Sequence, residues 1–289
     1  MAITRRGFLV GGAAALAGTA CARELLAADA AAAAGAGKIR ISARHFGTNL
    51  VSARKAGMDG VEVGVGGPAD KLQIADAEFR AKIKDKVKDT GVVVSSLSMD
   101  LLNGNPVATD ERGPAWLEQC IEAARDLGAV AILVPFFGKA GLLKGKELNK
   151  DVVDPLVARM KEAGPKAKAA GVALGLENTC SAKQNLEILD RIGSDGVGCY
   201  YDIGNSTGAG YDVPAEIREL KARMCMVHFK DGGSYLGEGK VKMEPVAEAL
   251  KAIDYKGWIV LETSCPSKNT QADCKRNADY IRKLMGLTA

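Results

Sequence analysis

The sequence predicts an α/β fold, a single (β/α)8 TIM barrel, on three observations. Past residue 37, short apolar runs alternate with amphipathic, helix-like segments. Eight such units follow one another over about 250 residues with no linker between them, which suits one closed barrel. The first run, moreover, ends in ARHFGTN, which lacks the Gly-rich phosphate turn that a doubly wound sheet, the alternative architecture, would carry there.

Taken in order, KIRISARHF (38–46) is the first strand and leads into a helix through Ala53 to Gly57. GVEVGV (60–65) is the second. The helix after it, FRAKIKDKVKD, repeats Phe79, Ile83 and Val87 every four residues, with lysines on the opposite face. VVVSSLSM (92–99) is the third strand; a long loop precedes a helix around Trp116 to Leu127. AVAILVPFF (129–137) is the fourth. VALGLEN, VGCYYDIGN, MCMVHFKD and WIVLETS supply the fifth to eighth, each trailed by a helix-like segment.

The amino terminus reads differently. MAITRRGFLVGGAAALAGTA has a charged start at Arg5 and Arg6 and an apolar run from Gly7 to Ala20, shorter than the roughly 20 residues that span a bilayer. This is the pattern of a removable export signal, with paired arginines like those of the twin-arginine type. We therefore expect residues 1–30 to be a signal peptide, 31–37 an Ala/Gly-rich linker and 38–289 the barrel, with a periplasmic destination and no membrane anchor after cleavage. Lipidation at Cys21 is disfavoured because Gly18 stands where a large aliphatic residue is usual. Seven cysteines contain no CxxC pair, so no zinc motif is present and buried free thiols are the default, with a disulfide left open by an oxidising destination. A net charge of +4 and 5% aromatic residues give no nucleic-acid signature. Oligomeric state is not encoded legibly; a homo-oligomer is compatible with the sequence.

In such a barrel the carboxyl ends of the strands share one face, where chemistry sits. Strand five ends on Glu177, strand six on Asp202, strand seven on His228 and strand eight on Glu262. Three carboxylates and an imidazole on one rim need opposite charge, which a divalent cation supplies. The competing account has each acid capped separately by a neighbouring Lys, Arg or helix terminus. An oxygen-rich set without thiolate favours Mn²⁺, with Mg²⁺ or Co²⁺ as alternatives.

The motifs GLEN, YDIGN, HFKD, LGEGKV and VLET, in that order, resemble those of the xylose isomerase-like barrels, the sugar phosphate isomerase/epimerase superfamily. The resemblance covers most of residues 38–289. It implies that Glu177, Asp202, His228 and Glu262 bind one divalent metal, and that Glu177 and Glu262 double as catalytic acid and base through a metal-bound enediolate. The substrate implied is a small carbohydrate, unphosphorylated given the export signal. Two departures matter: Asn205 stands where family epimerases often carry histidine, and KDGGSYLGEGK offers Lys230 and Lys240 where ketose epimerases commonly have arginine. With only His45 and His228 in the chain, the histidine-rich site of the superfamily's DNA-repair members is excluded.

His45, Asn178, Asn205, Lys230 and Phe136 are the candidate substrate contacts, with Phe137 beside the last; Trp116 reads as core and Glu62 as a structural carboxylate within strand two. DGGSYLGEGK is a weak candidate for a phosphate loop, and Cys180 and Cys265 flank presumed ligands without an assigned role. Three functions remain open at this level: an isomerase or epimerase, a lyase or hydratase that cleaves an oxidised (3-keto) glycoside at the same site, and a non-catalytic sugar-binding barrel.

Overall fold

The computed structural model describes residues 38–287, so the export-signal and linker readings lie outside the described residues. Eight parallel strands close into a barrel: β1 (Arg40–Ala43), β2 (Gly60–Gly64), β3 (Val93–Ser98), β4 (Ala131–Pro135), β5 (Ala173–Glu177), β6 (Val197–Asp202), β7 (Met224–Phe229) and β8 (Trp258–Leu261). Each strand pairs with its sequence neighbours and β8 closes on β1. Strands this apolar form because both faces are covered, the outer by helices and the inner by the other strands. The interior is filled by Ala131, Leu133, Tyr200, Met226, Trp258 and Val260, a packed core and not a pore.

The surrounding helices are α1 (Leu50–Lys55), α2 (Ala77–Thr90), α3 (Gly113–Leu127), α4 (Lys150–Ala169), α5 (Ala182–Ile192), α6 (Ile203–Gly208), α7 (Val213–Leu220), α8 (Met243–Ala252) and α9 (Thr270–Met285). Local chemistry explains their ends. Ser181 and Gln184 form a reciprocal capping box at the start of α5, and Gly91 ends α2 at a positive φ of 71°. Strands are shorter than the apolar runs suggest. The first run enters a turn at Arg44 instead of continuing to Phe46: the Arg44 amide makes the last bond to β8, at Leu261 O (3.2 Å), and its own carbonyl then accepts the Gly47 amide as the chain turns onto the rim.

Two additions to the regular repeat lie on the active rim. A small hairpin, Leu143–Lys144 against Glu147–Leu148, rises from the loop after β4. The short α6 starts directly on Asp202, whose Oδ1 accepts the Asn205 amide at 2.7 Å. Trp116 is fully buried and donates its indole N–H to Ala69 O at 2.7 Å, the core role expected of it. Among the described residues no helix is long and apolar enough to cross a membrane, and all six cysteines are free thiols.

Candidate metal centre and active site

Strand register places the four ligand-type side chains together. Asp202 pairs with His228 across β6 and β7, and His228 pairs with Val260 across β7 and β8. Glu177 closes β5, and Glu262 follows the last residue of β8. One ligand atom from each of Glu177, Asp202, His228 and Glu262 lies within 4.8 Å of all the others. His228 turns Nδ1 into this group, 2.9 Å from Glu177 Oε1, 3.4 Å from Glu262 Oε2 and 3.8 Å from Asp202 Oδ2. Asp202 Oδ2 is buried, and besides His228 Nδ1 it faces the Lys230 ammonium at 2.9 Å. Three carboxylate oxygens and an imidazole nitrogen converging in a buried pocket, with no thiolate among them, fit a hard divalent cation, so the residues present suit the group they are expected to hold.

The electrostatics of the cluster follow from its charge count. Glu62, Glu177, Asp202 and Glu262 face the cationic side chains Arg44 and Lys230, with His228 able to supply a third positive charge. Burial alone would lower the His228 pKa, but the charges of Glu177 and Glu62 hold it well above its ordinary value. Burial pushes the Asp202 carboxyl up to about 7 despite the pull of His228 and Lys230. Glu262 would also rise with burial, yet hydrogen bonding to His228 and the charges of His228 and Lys230 hold it well below the usual carboxylate range. Arg44, Lys230 and the raised proton affinity of His228 thus offset the clustered carboxylates, the role a divalent cation would share.

Lys230 reaches Glu262 Oε2 at 2.7 Å and Asp202 Oδ2 at 2.9 Å, the same two oxygens that face His228 Nδ1. Its stem passes over Gly204, where a Cβ would collide with Lys230 Cγ, so the glycine of YDIGN makes room for it. Arg44, at the end of β1, pairs with Glu262 and with Asp100 at 2.8 Å.

Beside the cluster opens a cavity of about 270 Å³ lined by Arg44, Asp100, Asn103, Pro135, Phe137, Glu177, Asn205, Lys230 and Glu262. Of the five candidate substrate contacts, Asn205 and Lys230 line it and three do not. Phe136 is 2% exposed and packs in the core; its neighbour Phe137 lines the cavity, because successive residues leaving a strand point to opposite sides. Asn178 is buried between Asn185 Oδ1 (2.9 Å) and the Cys180 amide (2.7 Å), shaping the turn after β5. His45 donates Nε2–H to Thr263 O at 2.5 Å, tying the β1 rim to β8.

Other candidates have structural work. Asp231 accepts the amides of Gly237 (3.1 Å), Gly239 (2.9 Å) and Val241 (2.9 Å), so those N–H groups of DGGSYLGEGK are spent internally and not on a phosphate. Burial pushes the Cys180 thiol up to about 12, which leaves it unreactive. Sequence reasoning missed Arg44, Asp100, Asn103 and Tyr200. Arg44 carried a signal, a cation one residue before His45 on the active rim; the others lie in a loop or read as core.

Comparison with known proteins agrees with this architecture. The sequence profile of the xylose isomerase-like TIM barrel family matches residues 50–284. L-ribulose-5-phosphate 3-epimerase UlaE of Escherichia coli (strain SMS-3-5 / SECEC) is 25% identical over 255 residues, 82% of this chain and 88% of that protein. The uncharacterized protein MJ1311 of Methanocaldococcus jannaschii is 26% identical over 238 residues, 74% of this chain and 76% of that one. Among solved structures, an L-ribulose 3-epimerase superposes with a TM-score of 0.71 at 23% identity, covering 86% of this chain and 95% of that one. The 3-keto-D-glucoside 4-epimerase YcjR from E. coli gives 0.68 at 15% identity, over 85% and 99%. At these identities the structural likeness establishes the shared fold.

Proposed function

The chain belongs to the xylose isomerase-like TIM barrel family, and from that premise we propose that it is a divalent-metal-dependent isomerase or epimerase of an unphosphorylated sugar or sugar derivative. The observation that carries the reading is the convergence of Glu177, Asp202, His228 and Glu262 within 4.8 Å beside a cavity of sugar size. The names of the relatives, sugar 3-epimerases and a keto-glucoside 4-epimerase, support the reaction class.

Glu177, Asp202, His228 and Glu262 would hold the cation, Mn²⁺ on the donor set with Mg²⁺ or Co²⁺ as alternatives. When bound, a divalent cation polarises a sugar carbonyl and acidifies the adjacent carbon. Glu177 and Glu262, from strands separated by β6 and β7, both face the cavity. One takes the proton from the carbon next to the carbonyl, and the other returns a proton to the opposite face of that carbon or to its neighbour. Phe137 and Pro135 form the apolar wall against which a sugar ring packs, while Asn205 and Lys230 contact its oxygens.

The charge arrangement favours a substrate without phosphate. Arg44 and Lys230, the cationic side chains lining the cavity, are both paired with carboxylates, and Asp100 adds negative charge at the mouth. This accords with the export signal read at residues 1–30 and a periplasmic location, where phosphorylated sugars are scarce. Replacing Arg5 and Arg6 by lysine should retain the protein in the cytoplasm; unchanged export would remove that argument. The central test is incubation with free ketoses and keto-glycosides in deuterium oxide with Mn²⁺. Exchange of the hydrogen next to the carbonyl, with a new epimer or isomer, is expected; no exchange across a broad panel would overturn the reading.

A further inference from the structure

Behind the metal-ligand cluster, inside the barrel, lies a carboxylate that the acid–base chemistry does not use. Glu62 on β2 is 1% exposed. Its Oε2 accepts two hydrogen bonds, from Tyr200 Oη at 2.6 Å and Ser96 Oγ at 2.8 Å. Its Oε1 is buried with no hydrogen-bond partner and stands 3.4 Å from His228 Nε2, itself buried and without one. Arg44 Nε lies 3.9 Å from the same Oε1. The Tyr200 ring meets the imidazole edge-on, with centroids 4.5 Å apart, so the residue that anchors Glu62 also confines the ring of His228. The other face of the imidazole is spoken for, since Nδ1 points at Glu177, Asp202 and Glu262.

We propose that Glu62 is a positioning residue: it accepts Nε2–H of His228, selects that tautomer, and so presents the Nδ1 lone pair to the cation. The inference rests on the metal reading given above. A neutral imidazole carries one proton, and each nitrogen here faces something different. With the proton on Nε2, a donor meets a carboxylate and a lone pair meets the cation. With the proton on Nδ1, a lone pair meets the carboxylate and an N–H meets the cation; both contacts become repulsive. A buried carboxylate whose second oxygen is already held by two hydroxyls cannot turn away, so the preference is built into the barrel. Carboxylates in this relation to a metal-bound imidazole typically change metal affinity by about 10- to 100-fold.

The substitution Glu62→Gln inverts the arrangement. The Tyr200 and Ser96 hydroxyls take the amide oxygen, which leaves the amide NH₂ facing His228 Nε2. That donor requires a lone pair on Nε2 and moves the proton to Nδ1. The chain contains only two histidines, His45 and His228, so ¹⁵N-histidine spectra are assignable with one His45→Asn variant. In the Mg²⁺-loaded wild-type protein we expect the one-bond N–H coupling of His228 at Nε2. In Glu62→Gln we expect the Nδ1–H tautomer and an Mn²⁺ dissociation constant weaker by about 10- to 100-fold by calorimetry. Tyr200→Phe, which leaves Ser96 and Arg44 holding Glu62, should keep Nε2–H and lose less affinity.

A wild-type His228 with its proton on Nδ1 in the Mg²⁺-loaded protein would overturn the proposal without any variant. So would an Mn²⁺ affinity in Glu62→Gln within about two-fold of wild type, since a carboxylate that merely anchors Tyr200 and Ser96 would not act on the metal. Absence of cation uptake by the wild-type protein would instead refute the metal reading itself, a separate outcome.

Discussion

Replacing Asp202 by asparagine should make the metal-free protein more stable and abolish the extra stability that a divalent cation gives wild type. Burial raises the Asp202 carboxyl from 3.8 to about 7 even though His228 and Lys230 stand beside it. Each pKa unit is worth about 1.4 kcal/mol, so above pH 7 the ionised carboxylate costs the fold about 4 kcal/mol relative to the unfolded chain. The sign follows from proton binding. Between about pH 4 and pH 7 the folded protein keeps a proton that the unfolded chain has released, so stability falls as pH rises through that window. The substituted amide carries no such proton, and its oxygen can still accept the Asn205 amide at the start of α6, as the Asp202 carboxylate does at 2.7 Å. The variant should therefore match wild type near pH 4 and exceed it by up to about 4 kcal/mol at pH 8, a rise in Tm of about 10 °C for a chain of this size. With EDTA replaced by Mn²⁺ at 100-fold over Kd, wild type should gain about 2.7 kcal/mol and the variant almost nothing. Differential scanning calorimetry at pH 4, 6 and 8, with and without Mn²⁺, reads all of this. A metal-free variant less stable than wild type at pH 8, or a gap independent of pH, would refute the electrostatic account.

Three further outcomes are expected. Glu177→Gln and Glu262→Gln should each lower turnover by about 10²- to 10⁴-fold, as loss of a proton-transfer group does, and should show up as lost deuterium exchange in steady-state assays; full exchange in either would remove that glutamate from the chemistry. Lys230→Met should tighten Mn²⁺ binding measured without sugar, since Lys230 competes for Asp202 Oδ2 and Glu262 Oε2, while reducing turnover; weaker binding by calorimetry would mean that the ammonium supports the ligands instead. Phe137→Ala should raise KM with little change in Tm, whereas Phe136→Ala should cost about 3–5 kcal/mol of stability by leaving a core cavity; the reverse pattern would exchange their roles.

What the residues announce and what they conceal divides along a physical line. Barrel strands announce themselves because burial on both faces demands continuous apolar runs such as VALGL and WIVL, and the period of the repeat needs no tertiary information. A polar residue at the end of such a run is equally conspicuous, which is why Glu177, Asp202, His228 and Glu262 could be grouped from spacing alone. The export signal expected at residues 1–30 is read from a local pattern of the same kind. The cavity wall was not legible in this way. Whether Phe136 or Phe137 faces the cavity depends on where β4 ends, and Asn178 is held away from it by Asn185, a partner supplied by α5. Arg44 gains its meaning only when β8 closes on β1 and sets it beside Glu262. Glu62 is the clearest case: within its own strand it is one polar residue among valines. Closure of the barrel brings Ser96 from β3, Tyr200 from β6 and His228 from β7 to its carboxylate, 34, 138 and 166 positions away in the chain. Sequence by itself determined the repeat and the ligand-type side chains at the strand ends; the closed barrel decided which partner each side chain met, because those contacts run across the interior and not along the chain.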